Sequence, residues 1–148
     1  MTVQEKIEQL KAVKARLNEI ATEAVYENLG VIIYEIQEQL QVRQVAGDGN
    51  AIGMYISDEY VRRKSQKTTS PFFSPPNVDL WGTGAWNRSI TASADDGQYW
   101  IYENDSGITP FLMARYGSRI LELDDYSRSN ARKKLDPIVA RYVLNEML

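Results

Sequence analysis

The feature that most constrains the fold is the hydrophobic period of the first 45 residues. Apolar side chains recur there at spacings of three and four, which is typical of an amphipathic helix. The apolar stripe consists of Val3, Ile7, Leu10, Val13, Leu17, Ile20 and Ala24. Thr2 and Glu5 match a capping box at its start. Gly30 interrupts the pattern before the denser apolar run 31–34, so we predict two helices, or one long bent helix, with the second part more deeply buried.

The period changes to two after residue 89. The stretches "SITASA" and "QYWIYEN" alternate like half-buried strands, and Asp95-Asp96-Gly97 between them is a strong hairpin signal. Before the hairpin, Ser57 followed by two acids predicts a helix that ends in basic residues. The three prolines of "TTSPFFSPP", residues 68–76, exclude regular structure from that stretch.

Two further helices are predicted after the hairpin. Residues 110–120 form a short helix that stops at Gly117, and residues 127–147 form the last one. Pro137 either bends that last helix or lies in its first turn behind Asp136 as N-cap. The order of elements predicts an α+β protein with long N-terminal helices, a small antiparallel β-sheet with a central hairpin, and a closing C-terminal helix.

The length of 148 residues fits a single domain over residues 1–148. Its parts are a helical segment 1–46, a helix with a proline-rich loop 47–77, and the hairpin with the C-terminal helix 78–148. No apolar run reaches eighteen residues, and the N-terminus lacks the apolar block of a signal peptide. We therefore expect no membrane partner.

The chain contains neither cysteine nor histidine. That composition removes disulfides, thiolate metal sites, the commonest general base and the favoured zinc ligand. The acidic pairs do not match the ligand spacing of a calcium loop, and Asp-Asp-Gly reads as a turn. These pairs are Asp95 with Asp96, Glu103 with Asp105, and Asp124 with Asp125. We expect no enzyme activity, cofactor or metal, and a hydrolase that uses carboxylates such as Asp96 and Glu103 is an alternative.

Two basic clusters stand out in a chain whose net charge is −3. They are Arg62, Arg63, Lys64 and Lys67, and Arg128, Arg132, Lys133 and Lys134. They are either solvated helix faces or a patch that contacts phosphates. A nucleic-acid-binding accessory protein that uses both clusters is therefore an alternative function, and a small interaction module from a mobile element is another.

The stretch "VDLWGTGAWNRSI", residues 78–90, carries two tryptophans around Gly82-Thr83-Gly84. Neither the phosphate-loop spacing nor the dinucleotide fingerprint is present, so a structural turn is favoured over a phosphate cradle. Nine tyrosines and three tryptophans in the whole chain favour a protein that packs against neighbours.

The same stretch contains the pattern Asp-Leu-x-x-Thr-Gly-x-aromatic-x-x-Ser-Ile after a helix that ends in lysine. It is carried by Asp79, Leu80, Thr83, Gly84, Trp86, Ser89 and Ile90, and a Tyr116-Gly117-Ser118 corner precedes the last helix. Over roughly residues 30–148 this order resembles the tail-completion or head–tail connector (neck) proteins of tailed bacteriophages, also described as minor tail components. The chain departs from the family in lacking a proline-rich stretch after the corner, where "LELDDY" stands instead.

The resemblance implies a virion structural protein, assembled in the host cytoplasm, that forms a ring at the phage neck or tail end. Its partners would be copies of itself, the portal or connector, and tail proteins. Thr83-Gly84 would form the turn before the first strand, Trp81 and Trp86 would anchor that turn against the helices, and Ser89-Ile90 would begin the strand. The residues that would contact a neighbouring subunit are Phe72, Phe73, Pro75 and Pro76. The basic helix ends would face packaged DNA.

Overall fold

Helices occupy most of the first 43 residues in the computed structural model, which describes residues 1–104 and 106–148. Helix α1 spans Val3–Ala15, α2 spans Leu17–Tyr26 and α3 spans Gly30–Glu38. A π-helical turn, Gln39–Arg43, extends α3. The interruption before Gly30 is confirmed, and α3 buries more of its side chains than α1 does, as the denser apolar run predicts.

The start of α1 follows the predicted capping box. The Thr2 hydroxyl accepts a hydrogen bond from the Glu5 amide at 3.0 Å, and the Glu5 carboxylate accepts one from the Thr2 amide at 2.6 Å. A second break at Arg16 was not predicted. Arg16 leaves the helical region with φ −106° and ψ 6°, and no glycine or proline marks the position in the sequence.

The central hairpin is confirmed. Strand β1, Ile90–Asp95, pairs antiparallel with β2, Gln98–Glu103. Asp96 and Gly97 form the two-residue turn with φ values of 47° and 75°, the left-handed pair that a type I′ turn requires. The register places Ala92 opposite Ile101 on the buried face. Helices α2 and α3 pack against β1, whose small alanine side chains allow a close approach.

Four more α-helices follow the N-terminal three. They are α4, Asp58–Lys67; α5, Ala85–Arg88; α6, Thr109–Tyr116; and α7, Asp125–Glu146. A 3₁₀ turn, Ser118–Leu121, links α6 to the loop before α7. The start of α4 after Ser57 and the stop of α6 at Gly117 agree with the predictions. The one-turn helix α5, which lies between the turn at Thr83-Gly84 and β1, was not predicted.

The last helix begins earlier than predicted and contains Pro137 in its interior. Of the two alternatives for Pro137, the one in which Asp136 caps the helix is wrong. The side chain of Asp124 accepts from the Ser127 amide at 2.9 Å instead, so Asp124 is the N-cap. A proline in a helix removes one backbone donor, and α7 continues through it because its buried residues on the N-terminal side hold it against the core.

The hydrophobic core lies between α3, the hairpin and α7. Its fully buried large side chains are Ile32, Ile36, Leu40, Ile52 and Ile120, with Val78 and Trp86 beside them. The α+β architecture with a two-stranded antiparallel sheet and a closing helix is confirmed.

Helix α1 stands apart from this core. Val13 is its only buried residue, whereas Val3, Ile7 and Leu10 are 79%, 39% and 46% exposed. Two polar contacts attach the region to α7: Gln9 donates to the Met147 carbonyl at 2.7 Å, and Arg16 pairs with Glu146 at 2.8 Å. The apolar stripe predicted from the sequence therefore exists, but most of its N-terminal half is uncovered.

A buried ion pair fixes the start of α7. Two nitrogens of Arg43 donate to the two oxygens of Asp124, each at 2.8 Å. The Arg43 hydrogen bonds, together with the Ser127 amide, lower the pKa of Asp124 to about 2, against the effect of burial. Because the pKa is lower in the folded state, the charged carboxylate stabilises the fold above pH 4, and this contribution is lost as the pH falls towards 2.

We expect Asp124→Asn to lower the free energy of unfolding at pH 7 by about 2 kcal/mol, since a neutral amide cannot form the bidentate ion pair with Arg43. The difference from the wild-type protein should shrink to about half at pH 3, where much of the wild-type carboxylate's advantage is gone. Urea denaturation at the two pH values measures this. Asp125→Asn is the matched control, because that side chain is 99% exposed. An Asp124→Asn deficit of equal size at both pH values would contradict the prediction.

Candidate functional site

The candidate site starts from α4. Ser57 caps this helix by accepting from the Tyr60 amide at 3.2 Å, with acids in the first turn and lysines in the last. This orientation complements the helix dipole. It places Lys64 and Lys67 on neighbouring turns, on the side that faces the stretch 78–88.

Asp79, the second residue of that stretch, lies inside the protein. Backbone bonds pair residues 53–55 with 76–78, Tyr55 to Pro76 at 2.8 Å and Val78 to Gly53 at 3.0 Å. The next side chain, Asp79, is fully buried. Its Oδ1 accepts from Lys64 Nζ at 2.8 Å, and also from the Tyr55 hydroxyl and the Trp81 amide.

Lys64 forms an ion pair with the buried Asp79. Its side chain is 13% exposed, and its ammonium also donates to the Tyr55 hydroxyl at 2.6 Å while lying 4.7 Å from the centre of the Tyr55 ring. Burial and the neighbouring carboxylate raise the pKa of Tyr55. Lys64 thus differs in exposure from its neighbours on the same helix. The exposed neighbours are Arg62, Arg63 and Lys67.

The turn of the motif is built around Gly84. This residue has φ 86°, and a Cβ placed on it would lie 2.8 Å from Trp81 Cε2 and 2.6 Å from an Arg88 nitrogen. The indole of Trp81 therefore lies directly on the glycine backbone. Its Nε1 donates to the Thr69 hydroxyl at 2.9 Å, which joins the turn to the proline-rich loop.

The second tryptophan, Trp86, belongs to α5 and to the core. It is 6% exposed, and its Nε1 donates to the Thr109 hydroxyl at 2.9 Å, at the first residue of α6. Ser89, which follows α5, donates to Glu103 at 2.8 Å, and Ile90 is the first residue of β1. The two indoles thus hold the turn between the proline-rich loop on one side and α6 on the other.

Asn87 is a residue of the site that sequence reasoning missed. The Asn87 side chain donates to the Leu80 carbonyl at 2.8 Å. The backbone carbonyl of Asn87 accepts from the side chain of Gln37 of α3 at 2.8 Å. These bonds close the loop formed by residues 80–87 and attach it to α3. An asparagine in a polar stretch carries no local signal for such a role.

The motif and two helices enclose a solvent-open groove of about 490 Å³. Helix α4 forms one wall, α6 the other, and the stretch 78–87 the floor. The predicted motif residues that line it are Leu80, Trp81, Thr83, Gly84, Trp86 and Tyr116. The Tyr116 ring closes the inner end against Gly53, where a Cβ would lie 3.1 Å from it. We call this feature the motif groove. Gly117, with φ 88°, ends α6 just beyond it.

The two basic clusters are not brought together. Arg63, Lys64 and Lys67 line the motif groove, whereas Arg128 lines a separate groove of about 450 Å³ with Trp100 and Leu121. On α7, Arg128 pairs with Asp125 at 2.6 Å and Lys134 with Glu35 at 3.0 Å. Arg132 and Lys133 are exposed.

Most of the residues of the proline-rich loop that were predicted to contact a neighbouring subunit are exposed. Phe72, Pro75 and Pro76 are exposed, while Phe73 is half-buried with its ring centre 5.9 Å from that of Tyr55. The loop is anchored at the Phe72 carbonyl, which accepts from Gln44 at 2.7 Å.

Residues 1–104 and 106–148 contain no group of three acidic, histidine or cysteine side chains placed to hold a metal ion, and Asp105 lies outside these described residues. In the same part of the chain, no helix is long and apolar enough to cross a membrane. Comparison of the chain with protein-family models, with curated proteins and with solved structures gives no match.

Proposed function

We propose that this protein is a structural subunit of a phage neck or tail end, where several copies form a ring that joins the portal or connector to the tail. The role is assembly, with no catalytic step and no cofactor. Such a protein resides in the virion, is assembled in the host cytoplasm, and contacts other subunits through surfaces that the free chain leaves uncovered. The observation that carries the proposal is the uncovered apolar stripe of α1.

Most of this stripe is left exposed by the fold described above. Val3, Ile7 and Leu10 recur on one side of α1 and remain exposed, while only Val13 reaches the protein interior. Exposed apolar residues in a continuous row mark interaction sites on soluble proteins. A neighbouring subunit that covers the stripe would bury these side chains.

The outer face of the hairpin supplies a second uncovered surface. The alternation along β2 turns Trp100 and Tyr102 away from the core face, and they are 47% and 40% exposed. Tryptophan and tyrosine are enriched among residues that dominate binding energy at interfaces. With Phe72 in the proline-rich loop, the subunit carries exposed aromatic groups on two different segments, which suits a ring in which each copy contacts neighbours on different sides.

The alternative, a nucleic-acid-binding accessory protein, receives less support. Four of the eight basic residues in the two clusters are engaged in ion pairs with buried or neighbouring acids: Arg63, Lys64, Arg128 and Lys134. The remaining cations lie on two separate surfaces of a chain with net charge −3. A duplex-binding surface needs several phosphate contacts along one track.

Electron microscopy of particles from a phage that encodes this chain tests the proposal. We expect deletion of the gene to leave heads and tails unjoined and to lower the plaque titre at least a hundredfold. Wild-type protein supplied in trans should restore joined particles. The double variant Ile7→Glu with Leu10→Glu should not, because charges on the stripe prevent its burial.

The matched control is Gln4→Glu with Ala12→Glu. It adds the same charge to exposed positions of α1 outside the apolar stripe and should restore joining. Joined, infectious particles in the deletion strain would overturn the proposed function. Restoration by the stripe variant would show that α1 is not the assembly surface.

A further inference from the structure

We propose that the motif groove binds an acidic peptide segment that carries a large apolar side chain. This inference goes beyond the proposed function, because it names the chemistry of a partner that the surfaces of α1 and the hairpin do not specify. The argument rests on the shape of the groove, on its apolar interior and on the sign of the charges along its walls.

The interior of the groove is apolar and large enough for an anchoring side chain. Its walls include Leu80, Trp81, Ile108 and Leu112, of which Ile108 is exposed at the mouth. A volume of about 490 Å³ lies in the range of sites that bury a compact ligand. A phenylalanine or leucine side chain with its flanking backbone fits that space, and burial of such a side chain is favourable.

The charge of the walls is positive in an otherwise acidic protein. Three cations line the groove, Arg63, Lys64 and Lys67, and no aspartate or glutamate is among the described residues that line it. Because Lys64 neutralises the buried Asp79, the field at the mouth comes from Arg63 and Lys67. Two more arginines lie close by: Arg88 contacts the Thr83 carbonyl at 3.3 Å, and Arg115 lies 5.6 Å from the centre of the Tyr116 ring.

A cationic rim around an apolar interior complements a ligand that offers carboxylates and an apolar side chain together. The exposed pair between Arg63 and Glu59, at 3.4 Å, is weak and can be exchanged for a partner's carboxylate. Lys67 forms no ion pair among the described residues. A nucleic acid would need a longer track of cations than these two rim residues provide.

Amide-resolved NMR of the isotope-labelled protein tests the inference with four defined probes. They are the peptides acetyl-Asp-Glu-Phe-Asp-Glu-amide, acetyl-Asn-Gln-Phe-Asn-Gln-amide and acetyl-Asp-Glu-Gly-Asp-Glu-amide, and an eight-nucleotide oligothymidylate. We expect the acidic phenylalanine peptide to shift the indole N–H signals of Trp81 and Trp86 in a saturable manner. The neutral and glycine peptides should bind at least tenfold more weakly, because each lacks one of the two required features.

The double variant Arg63→Gln with Lys67→Gln should weaken the acidic peptide at least tenfold. Both residues are exposed, so the variant keeps the fold, which circular dichroism verifies. The matched control, Arg132→Gln with Lys133→Gln, removes the same charge from α7 and should leave affinity unchanged. The double variant Ile7→Glu with Leu10→Glu should also leave the affinity for the acidic peptide unchanged. The test of the groove is therefore independent of the test of the assembly surface on α1.

Three results would overturn the inference. They are the absence of saturable indole shifts with the acidic phenylalanine peptide, equal binding of the acidic and neutral peptides, and tighter binding of the oligothymidylate than of any peptide. The last result would assign the groove to single-stranded nucleic acid instead.

Discussion

Replacing Lys64 by glutamine is expected to lower the free energy of unfolding by about 3–5 kcal/mol. The variant leaves the carboxylate of Asp79 fully buried with no cation beside it. The neutral amide reaches less far than the ammonium, so the hydrogen bonds to Tyr55 and Asp79 are weakened as well. Urea denaturation followed by far-ultraviolet circular dichroism measures the loss.

Lys67→Gln is the matched control, since it removes the same charge from an exposed position one turn away and should leave stability unchanged. The double variant Lys64→Met with Asp79→Asn should be more stable than Lys64→Gln, because neither buried charge remains. Equal stability of Lys64→Gln and Lys67→Gln would show that the buried pair does not hold α4 to the motif.

Replacing Gly84 by alanine is expected to lower the free energy of unfolding by about 2–4 kcal/mol, from backbone strain and from overpacking. The residue has a positive φ of 86°, and the added methyl group would collide with the Trp81 indole and with Arg88. To make room, Trp81 has to leave the glycine, so its hydrogen bond to Thr69 is lost. Denaturant titration gives the energy, and the tryptophan emission spectrum reports the displaced indole.

Gly82→Ala provides the comparison within the same turn. A Cβ at Gly82 has no heavy atom within 4 Å, and its φ is not in the left-handed region. This substitution should be neutral or slightly stabilising, because alanine restricts the unfolded chain. If the two alanine variants prove equally stable, the packing of Trp81 on Gly84 does not shape the turn.

The elements that the sequence predicted correctly are those set by local rules. Each of them depends on residues within a few positions of one another. They are the capping box at Thr2, the Ser57 cap of α4 and the Asp96-Gly97 turn. Local rules failed where distant packing decides. Helix α7 begins after Asp124, and the capping carboxylate of Asp124 is bound by Arg43, from another part of the chain.

Several residues that line the groove were singled out from the sequence, but the groove itself was not. The sequence singled out Trp81, Gly84 and Trp86 as a structural turn, and the geometry at Gly84 accords with that role. It could not show that α4 and α6 form walls on either side, because that arrangement depends on tertiary packing. Lys64 was grouped with its exposed neighbours for the same reason: its partner Asp79 is fifteen residues away, and no local pattern links them.

The packing of α2 against α7 has a consequence for the order in which the protein folds. The Tyr142 hydroxyl donates to Glu27 at 2.6 Å across a separation of 115 residues. During synthesis, α2 with its buried Ile20 and Ala24 therefore leaves the ribosome long before α7, one of the elements it packs against, exists. Until α7 has been made, the side of α2 that packs against it is exposed on the nascent chain, and a chaperone that binds apolar segments can bind there.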